Sequence, residues 1–168
     1  MAGKSEEKIV QMINEQFSIA ADVRRDRRIW IEIDKGQLLE IAQWLKQAGF
    51  DHLSAISVAD WPDSGTFSVT CHVWSQKEKV LLTLKTRIER ENAVIESLTP
   101  VWDKSAGIHE RELHELFGVN FNGNDDLSPL FLEDWKGPPP FQKDFDWREY
   151  TREEYFNVEN EREHVYYD

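Results

Sequence analysis

Residues 65–88 read GTFSVTCHVWSQKEKVLLTLKTRI, and their alternation decides the fold class. Phe67, Val69, Cys71 and Val73 share one side of the first half. Val80, Leu82 and Leu84 share one side of the second, with Thr83, Lys85 and Arg87 on the other. A period of two with one apolar and one polar face is the pattern of a half-buried strand. The three residues Gln76-Lys77-Glu78 between the halves are few enough for a hairpin, so the two strands are predicted to be antiparallel. Parallel strands buried on both faces would be apolar throughout. The expectation is an α+β domain, a mostly antiparallel sheet with its helices on one face.

Working back from the hairpin, Leu53–Val58 reads as a further strand. Gln37–Ala48 reads as an amphipathic helix with Leu38, Ile41, Ala42 and Leu45 as its buried stripe and Gly49 as its stop. Arg28–Asp34 and Phe17–Val23 read as two more strands across the charged turn Arg24-Arg25-Asp26-Arg27, with Ile29, Ile31 and Ile33 facing one way and Trp30 and Glu32 the other. Glu6–Gln16 carries Ile9, Met12 and Ile13 at helical spacing. Ser5 is the candidate cap, without the Glu or Gln at Lys8 that a capping box needs. One domain, residues 1–134, is expected, followed by a Pro-rich and acidic-aromatic extended arm, 135–168.

Composition narrows the function. The net charge of −12 opposes nucleic acid, anionic lipid and acidic partners, since a phosphate-binding face needs clustered Lys or Arg. No apolar run approaches the ~18 residues of a membrane span, and Met1–Ser5 lacks a secretory pattern, so a cytoplasmic location is expected. The single Cys71 leaves no disulfide and no thiolate set for an iron–sulfur cluster or structural zinc. Its place among apolar strand residues marks it as core. No strand is followed by a glycine-rich loop of the dinucleotide or phosphate type. Seven Trp and nine Phe exceed what one small core uses, which favours interface roles for some of them.

Downstream, His109-Glu110-Arg111-Glu112-Leu113-His114 superficially suggests a zinc-protease helix. Its two His are five apart, about 140° round a helix, where that chemistry needs four. Glu110 and His114, four apart, could share a metal, but no third ligand is indicated. On a wheel centred at Ile108, Leu113, Leu116 and Phe117 share an arc with Glu112 and His109, so Glu112 is expected to point inward and to pair with Arg111, Lys143 or a partner's arginine. The Glu110-Arg111-Glu112 triplet either sets an interface or forms an internal ion-pair cluster, and sequence alone leaves both open. Gly118 ends this helix. Asn120–Pro129 is read as a polar turn rather than a calcium loop, because the twelve-residue spacing and terminal Glu are missing. The three prolines at 138–140 are expected to be extended.

The order Glu110-Arg111-Glu112, Glu115, Leu116, Phe117, Gly118, then Glu133-Asp134-Trp135 and Pro140-Phe141-Gln142-Lys143-Asp144 resembles the 30 kDa subunit family of respiratory complex I (NADH-quinone oxidoreductase), whose relatives include subunits of energy-converting hydrogenases. The family expects His or Lys at position 124, Lys, Arg or Pro at 128 and Arg at 142; this chain has Asn124, Ser128 and Gln142. The resemblance implies a cofactor-free accessory subunit, not catalytic alone, in the peripheral arm of a membrane-attached redox complex that couples electron transfer to ion translocation. It implies a hydrogenase-like large (49 kDa-type) subunit and iron–sulfur subunits as partners, with the clusters held by those partners, at the cytoplasmic face of the membrane. It also implies that the region after the prolines, with Trp147, Tyr150, Tyr155, Phe156, Tyr166 and Tyr167, is an arm lying on the large subunit. A stand-alone interaction module and a hydrolase using His109, Glu110 and His114 are the alternatives.

Overall fold

Alternating apolar residues build a five-stranded sheet in the order β1-β2-β5-β4-β3. The computed structural model describes residues 4–156. β3 (His52–Trp61), β4 (Thr66–Ser75) and β5 (Val80–Glu89) form an antiparallel meander. β1 (Ala21–Arg25) and β2 (Arg28–Glu32) form a short hairpin. β2 joins β5 in parallel, with Ile29 beside Leu82 and Ile31 beside Leu84.

Because β2 and β3 lie on opposite sides of the β4–β5 hairpin, the chain between them must cross the sheet. It does so as helix α2 (Leu38–Gln47), whose buried residues are Leu38, Ile41, Ala42 and Leu45. α1 (Lys4–Phe17) adds Ile9 and Ile13 to the same core, which also takes in Val69, Cys71, Val73, Leu82, Leu84 and Leu113. The helices therefore cover one face of the sheet, as the single apolar face of each strand requires.

Three local readings are corrected. Phe17 and the residues after it do not start a strand. Phe17 closes α1, its ring edge-on to Trp44 at 5.6 Å, and Ser18 takes a left-handed φ of 55° that stops the helix before β1 begins at Ala21. Ser5 lies within α1, and its hydroxyl donates to Glu78 Oε2 at 2.5 Å. β3 runs three residues beyond Val58, carrying the burial alternation on to Asp60.

After β5 the chain forms a small parallel ladder that the alternation did not announce, β6 (Val94–Glu96) with β7 (Asn120–Asn122). The polar stretch from Asn120 thus begins as a strand, with Phe121 buried. Strands of three residues are too short for a period to be read. Between β6 and β7 lies α3 (Thr99–Phe117), kinked at Trp102 and Asp103, whose φ values are −123° and 41°. Trp102 fixes the kink by burying its ring and donating Nε1 to Phe50 O at 3.2 Å. Beyond β7 the chain runs as a strap along α3, turns at 140–144, and enters the short helix α4 (Trp147–Thr151), capped by Asp146.

Candidate functional site

The kink sets the rotation of α3, and with it which acidic residue of the motif is buried. Trp102, Ala106, Glu110, Leu113 and Leu116 form the inward stripe, and Glu110 has no solvent exposure. Ile108, two positions from Ala106 and so roughly 200° round the helix, is 53% exposed. The expectation that Glu112 points inward is therefore wrong. Its side chain is 39% exposed, and its ion-pair neighbour is His109 Nδ1 at 3.9 Å, not Arg111 or Lys143. The wheel was centred on a solvent-facing residue, and Glu112 lies about 40° from it.

Glu110 is a hub that ties the turn between β6 and α3, α3 itself and the loop after β7 together. Its carboxylate accepts from Leu98 N at 2.6 Å, Ser97 Oγ at 2.8 Å and Asn124 Nδ2 at 2.9 Å. Burial pushes its pKa up, and these three donors offset part of that rise. Asn124 stands where the family pattern has His or Lys, so here a neutral amide contacts the carboxylate.

Glu115 does the opposite job at the surface. Its two oxygens collect the backbone amides of Leu130, Phe131 and Leu132, the shortest being Leu132 N at 2.6 Å. Partial desolvation works against the charge, but the three amides and nearby Arg111 outweigh it, so its pKa lies below the ordinary carboxylate range. Arg111 completes the clasp. It donates Nε to Ser128 O and a terminal nitrogen to Pro129 O, both at 2.9 Å, and lies 3.8 Å from Asp126. Asp126 is itself held below the ordinary carboxylate range, chiefly by hydrogen bonds from Ser128. Of the motif's charged residues, Glu110, Arg111 and Glu115 thus act within the chain, holding segment 124–132 against α3.

The second half of the motif is held by residues that sequence reading missed, Asp60 and Arg90. Arg90 Nε donates to Asp60 Oδ1 at 2.9 Å, and a terminal nitrogen reaches Asp60 Oδ2 and Gln142 Oε1, both at 3.3 Å. The same guanidinium pairs with Asp144 and holds its pKa down. Asp60 also accepts from Lys143 N at 2.8 Å. Gln142, in the family's Arg position, donates Nε2 to Phe117 O at 2.8 Å, at the carbonyl end of α3. Phe141 N donates to Leu116 O at 3.0 Å, and its ring sits edge-on to Phe117 at 5.8 Å. Gly118, at φ 77°, ends the helix where a Cβ would come within 3.0 Å of Pro139 Cγ. The signal for Asp60 was its register: Ile56, Val58 and Asp60 alternate toward the core side of β3.

Contacts therefore run continuously across position 134/135, and the prolines lead into a turn closed by Gln142 N on Pro139 O. Trp135, Phe145 and Tyr150 form one aromatic cluster, with Trp135 4.7 Å from Tyr150 and 5.8 Å from Phe145. Gly137 lies beneath it, where a Cβ would come within 2.7 Å of the Trp135 ring. Lys143 Nζ stands 5.4 Å from the Trp61 ring centre. Trp61, Phe131, Phe141 and Trp147 remain 52–64% exposed. Tyr166 and Tyr167 lie outside the described residues, as does the side chain of Tyr155.

The hydrolase constellation does not assemble. His114 Nδ1 lies 3.0 Å from Val119 O, His109 lies beside Glu112, and Glu110 is turned inward to its three donors. Among the described residues no group of three or more His, Cys, Asp or Glu is placed to hold a metal ion.

Comparison with known proteins agrees with this arrangement. The chain is 33% identical over 143 residues to the C subunit of F(420)H(2) dehydrogenase from Methanosarcina mazei, covering 82% of this chain and 90% of that protein. It is 31% identical over 110 residues to the C subunit of NADH-quinone oxidoreductase from Moorella thermoacetica, covering 65% and 74%. A chain from the structure of the membrane-bound sulfane sulfur reductase, an archaeal respiratory membrane complex, superposes with a TM-score of 0.82 at 26% identity, over 94% of this chain and 95% of that one. The trypsin-resistant fragment of Nqo5 shares the fold at a TM-score of 0.63 and 20% identity, over 73% of this chain and 99% of the fragment. Residues 31–151, which contain both halves of the motif, match the model of the respiratory-chain NADH dehydrogenase 30 kDa subunit. This chain belongs to that family.

Proposed function

We propose that the chain is a cofactor-free positioning subunit in the peripheral arm of a complex I-like, membrane-attached redox complex. In this reading it docks on a hydrogenase-like large (49 kDa-type) subunit, iron–sulfur clusters reside in neighbouring subunits, and the whole couples electron transfer to ion movement. One observation carries it. Glu110, Arg111 and Glu115, together with Asp60 and Arg90, are spent on holding 124–144 to α3 and β3, while Phe131 and Phe141 stay exposed along that strap and Trp61 beside it. Rigid, preorganised aromatics are what an interface centre uses, because little side-chain entropy remains to be lost on binding. No helix among the described residues is long and apolar enough to cross a membrane; in this reading attachment is peripheral, through partner subunits, at the cytoplasmic face.

Native purification from the source membrane, with identification of co-purifying chains, tests this. Iron–sulfur and large redox subunits should accompany the protein at fixed stoichiometry, and a chain that purifies alone would overturn the assignment. Removing Phe145–Asp168 should weaken retention in the complex and leave the melting of the isolated chain nearly unchanged, since the core residues all precede Trp135.

A further inference from the structure

The sheet has a second face that the helices do not cover, and its chemistry is unlike that of the rest of the molecule. Trp30, Leu81 and Trp74 on this face are only half-buried. Register places Arg28, Leu81 and Trp74 in one row across β2, β5 and β4, with Trp30, Thr83 and His72 in the next. Thr83 and His72 are joined through Oγ1 and Nδ1 at 3.0 Å. Cations lie among these residues. Arg24 lies 5.1 Å from the Trp30 ring centre, Arg28 ends the first row, and Lys85 and Arg87 continue along β5. The acidic residues among them are Asp22, Glu32 and, at the far end of β5, Glu89; Glu32 is already opposed by Arg87 at 3.7 Å. Toward the β3 edge the face flattens to Ala55, Ser57 and Ala59.

A chain of net charge −12 thus gathers arginine and lysine on one open surface that also carries two half-buried tryptophans. Cations beside half-buried aromatic rings are the composition of an interface core rather than of a solvated sheet face. Extent narrows the occupant. Five strands at ~4.8 Å spacing and ~3.3 Å rise, three of ten residues and two of five, offer on the order of 600 Å² in projection, about half of it the cationic part over β1, β2 and β5. That is below the ~800 Å² per partner of a standard stable interface, so it suits a segment better than a whole domain or a second copy of this chain. A uniformly anionic surface such as a lipid bilayer is disfavoured by Asp22 and Glu32 within the patch, which a peptide can sidestep by placing its carboxylates over the cations alone.

We infer that this open face is the seat of an acidic segment of a neighbouring subunit, its carboxylates set over Arg28, Lys85 and Arg87 and its apolar side chains over Trp30, Leu81 and Trp74. This rests on the assembly reading above, and the test separates the two.

A photo-reactive phenylalanine analogue is placed at Leu81, and in a second strain at exposed Phe131, and the intact complex is irradiated after purification. The Leu81 position should cross-link to one acidic stretch of one partner subunit. Arg28→Glu with Lys85→Glu should cut that yield at least tenfold while the melting of the free chain is unchanged, and reversing the partner's carboxylates to lysine should restore it. Arg87→Glu, at a side chain 64% exposed, repeats the reading with less risk to the fold. Products with lipid, with a second copy of this chain or with a non-acidic segment would overturn the proposal. So would an absent product at 81 in an intact complex whose Phe131 strain cross-links. A chain that purifies with no redox subunit would sink the assembly reading itself, and this proposal with it.

Discussion

Asn124 and Glu110 meet at 2.9 Å, the amide nitrogen of one donating to the wholly buried carboxylate of the other. That contact joins the loop after β7 to the centre of α3, and it shows the triplet dividing its labour. Glu110 organises the interior, Arg111 clasps the strap, and Glu112 faces solvent.

Replacing Glu110 by Ala should cost about 3 kcal/mol, because Leu98 N, Ser97 Oγ and Asn124 Nδ2 would lose their shared acceptor in a buried site. Glu112→Ala should change stability by no more than about 0.5 kcal/mol, the usual range for surface sites. Urea denaturation of the two variants of the isolated chain decides it. Equal effects would refute the assignment of the inward role to Glu110.

Arg90→Ala is expected to destabilise by roughly 3 kcal/mol, the scale for stranding a buried carboxylate, since Asp60 would keep only the Lys143 amide among its described donors. Arg90→Lys should recover only part of the loss, because an ammonium cannot span Asp60, Gln142 and Asp144 as the planar fork does. Faster proteolysis between residues 132 and 146 in both variants, measured against intact chain, would locate the damage at the strap.

The strap should also release in acid. Glu115, Asp126 and Asp144 all have folded pKa values below the ordinary carboxylate range. Their stabilisation is therefore present above that range and is lost as pH falls through the depressed values. Glu110 has the opposite sign: its pKa is raised, so its contribution is largest when protonated and declines as pH climbs from the ordinary carboxylate value through the raised one. Amide exchange at Leu130–Leu132 as a function of pH should show protection collapsing on the acid side. Protection that persists after Glu115 has protonated would contradict the anchoring role.

Cys71, with 1% exposure and a thiol pushed up to about 12 by burial, with a smaller contribution from Glu110, should resist alkylation in the native protein at neutral pH and react at once in denaturant. Labelling at a rate comparable with a free thiol would mean that the face of β4 carrying it opens readily.

Much of this was legible from residues alone. Alternation through Phe67–Val73 and Val80–Leu84 determined a one-faced sheet and a buried Cys71, because side-chain period follows directly from strand geometry. The motif from Glu110 to Phe117 marked the family. Periodicity, however, reports that a helix has a buried stripe without saying which rotation faces the sheet. The kink at Trp102 and Asp103 decided that, and so exchanged Glu112 for Glu110. The pair Asp60–Arg90 joins residues thirty apart in sequence, and the cationic face that carries Trp30 and Trp74 draws on four separate strands. Neither leaves a local trace, because charge pairing at a distance is selected by where strands lie side by side. A net charge of −12 determined the average field, and only the tertiary fold decided where the positive charges would collect.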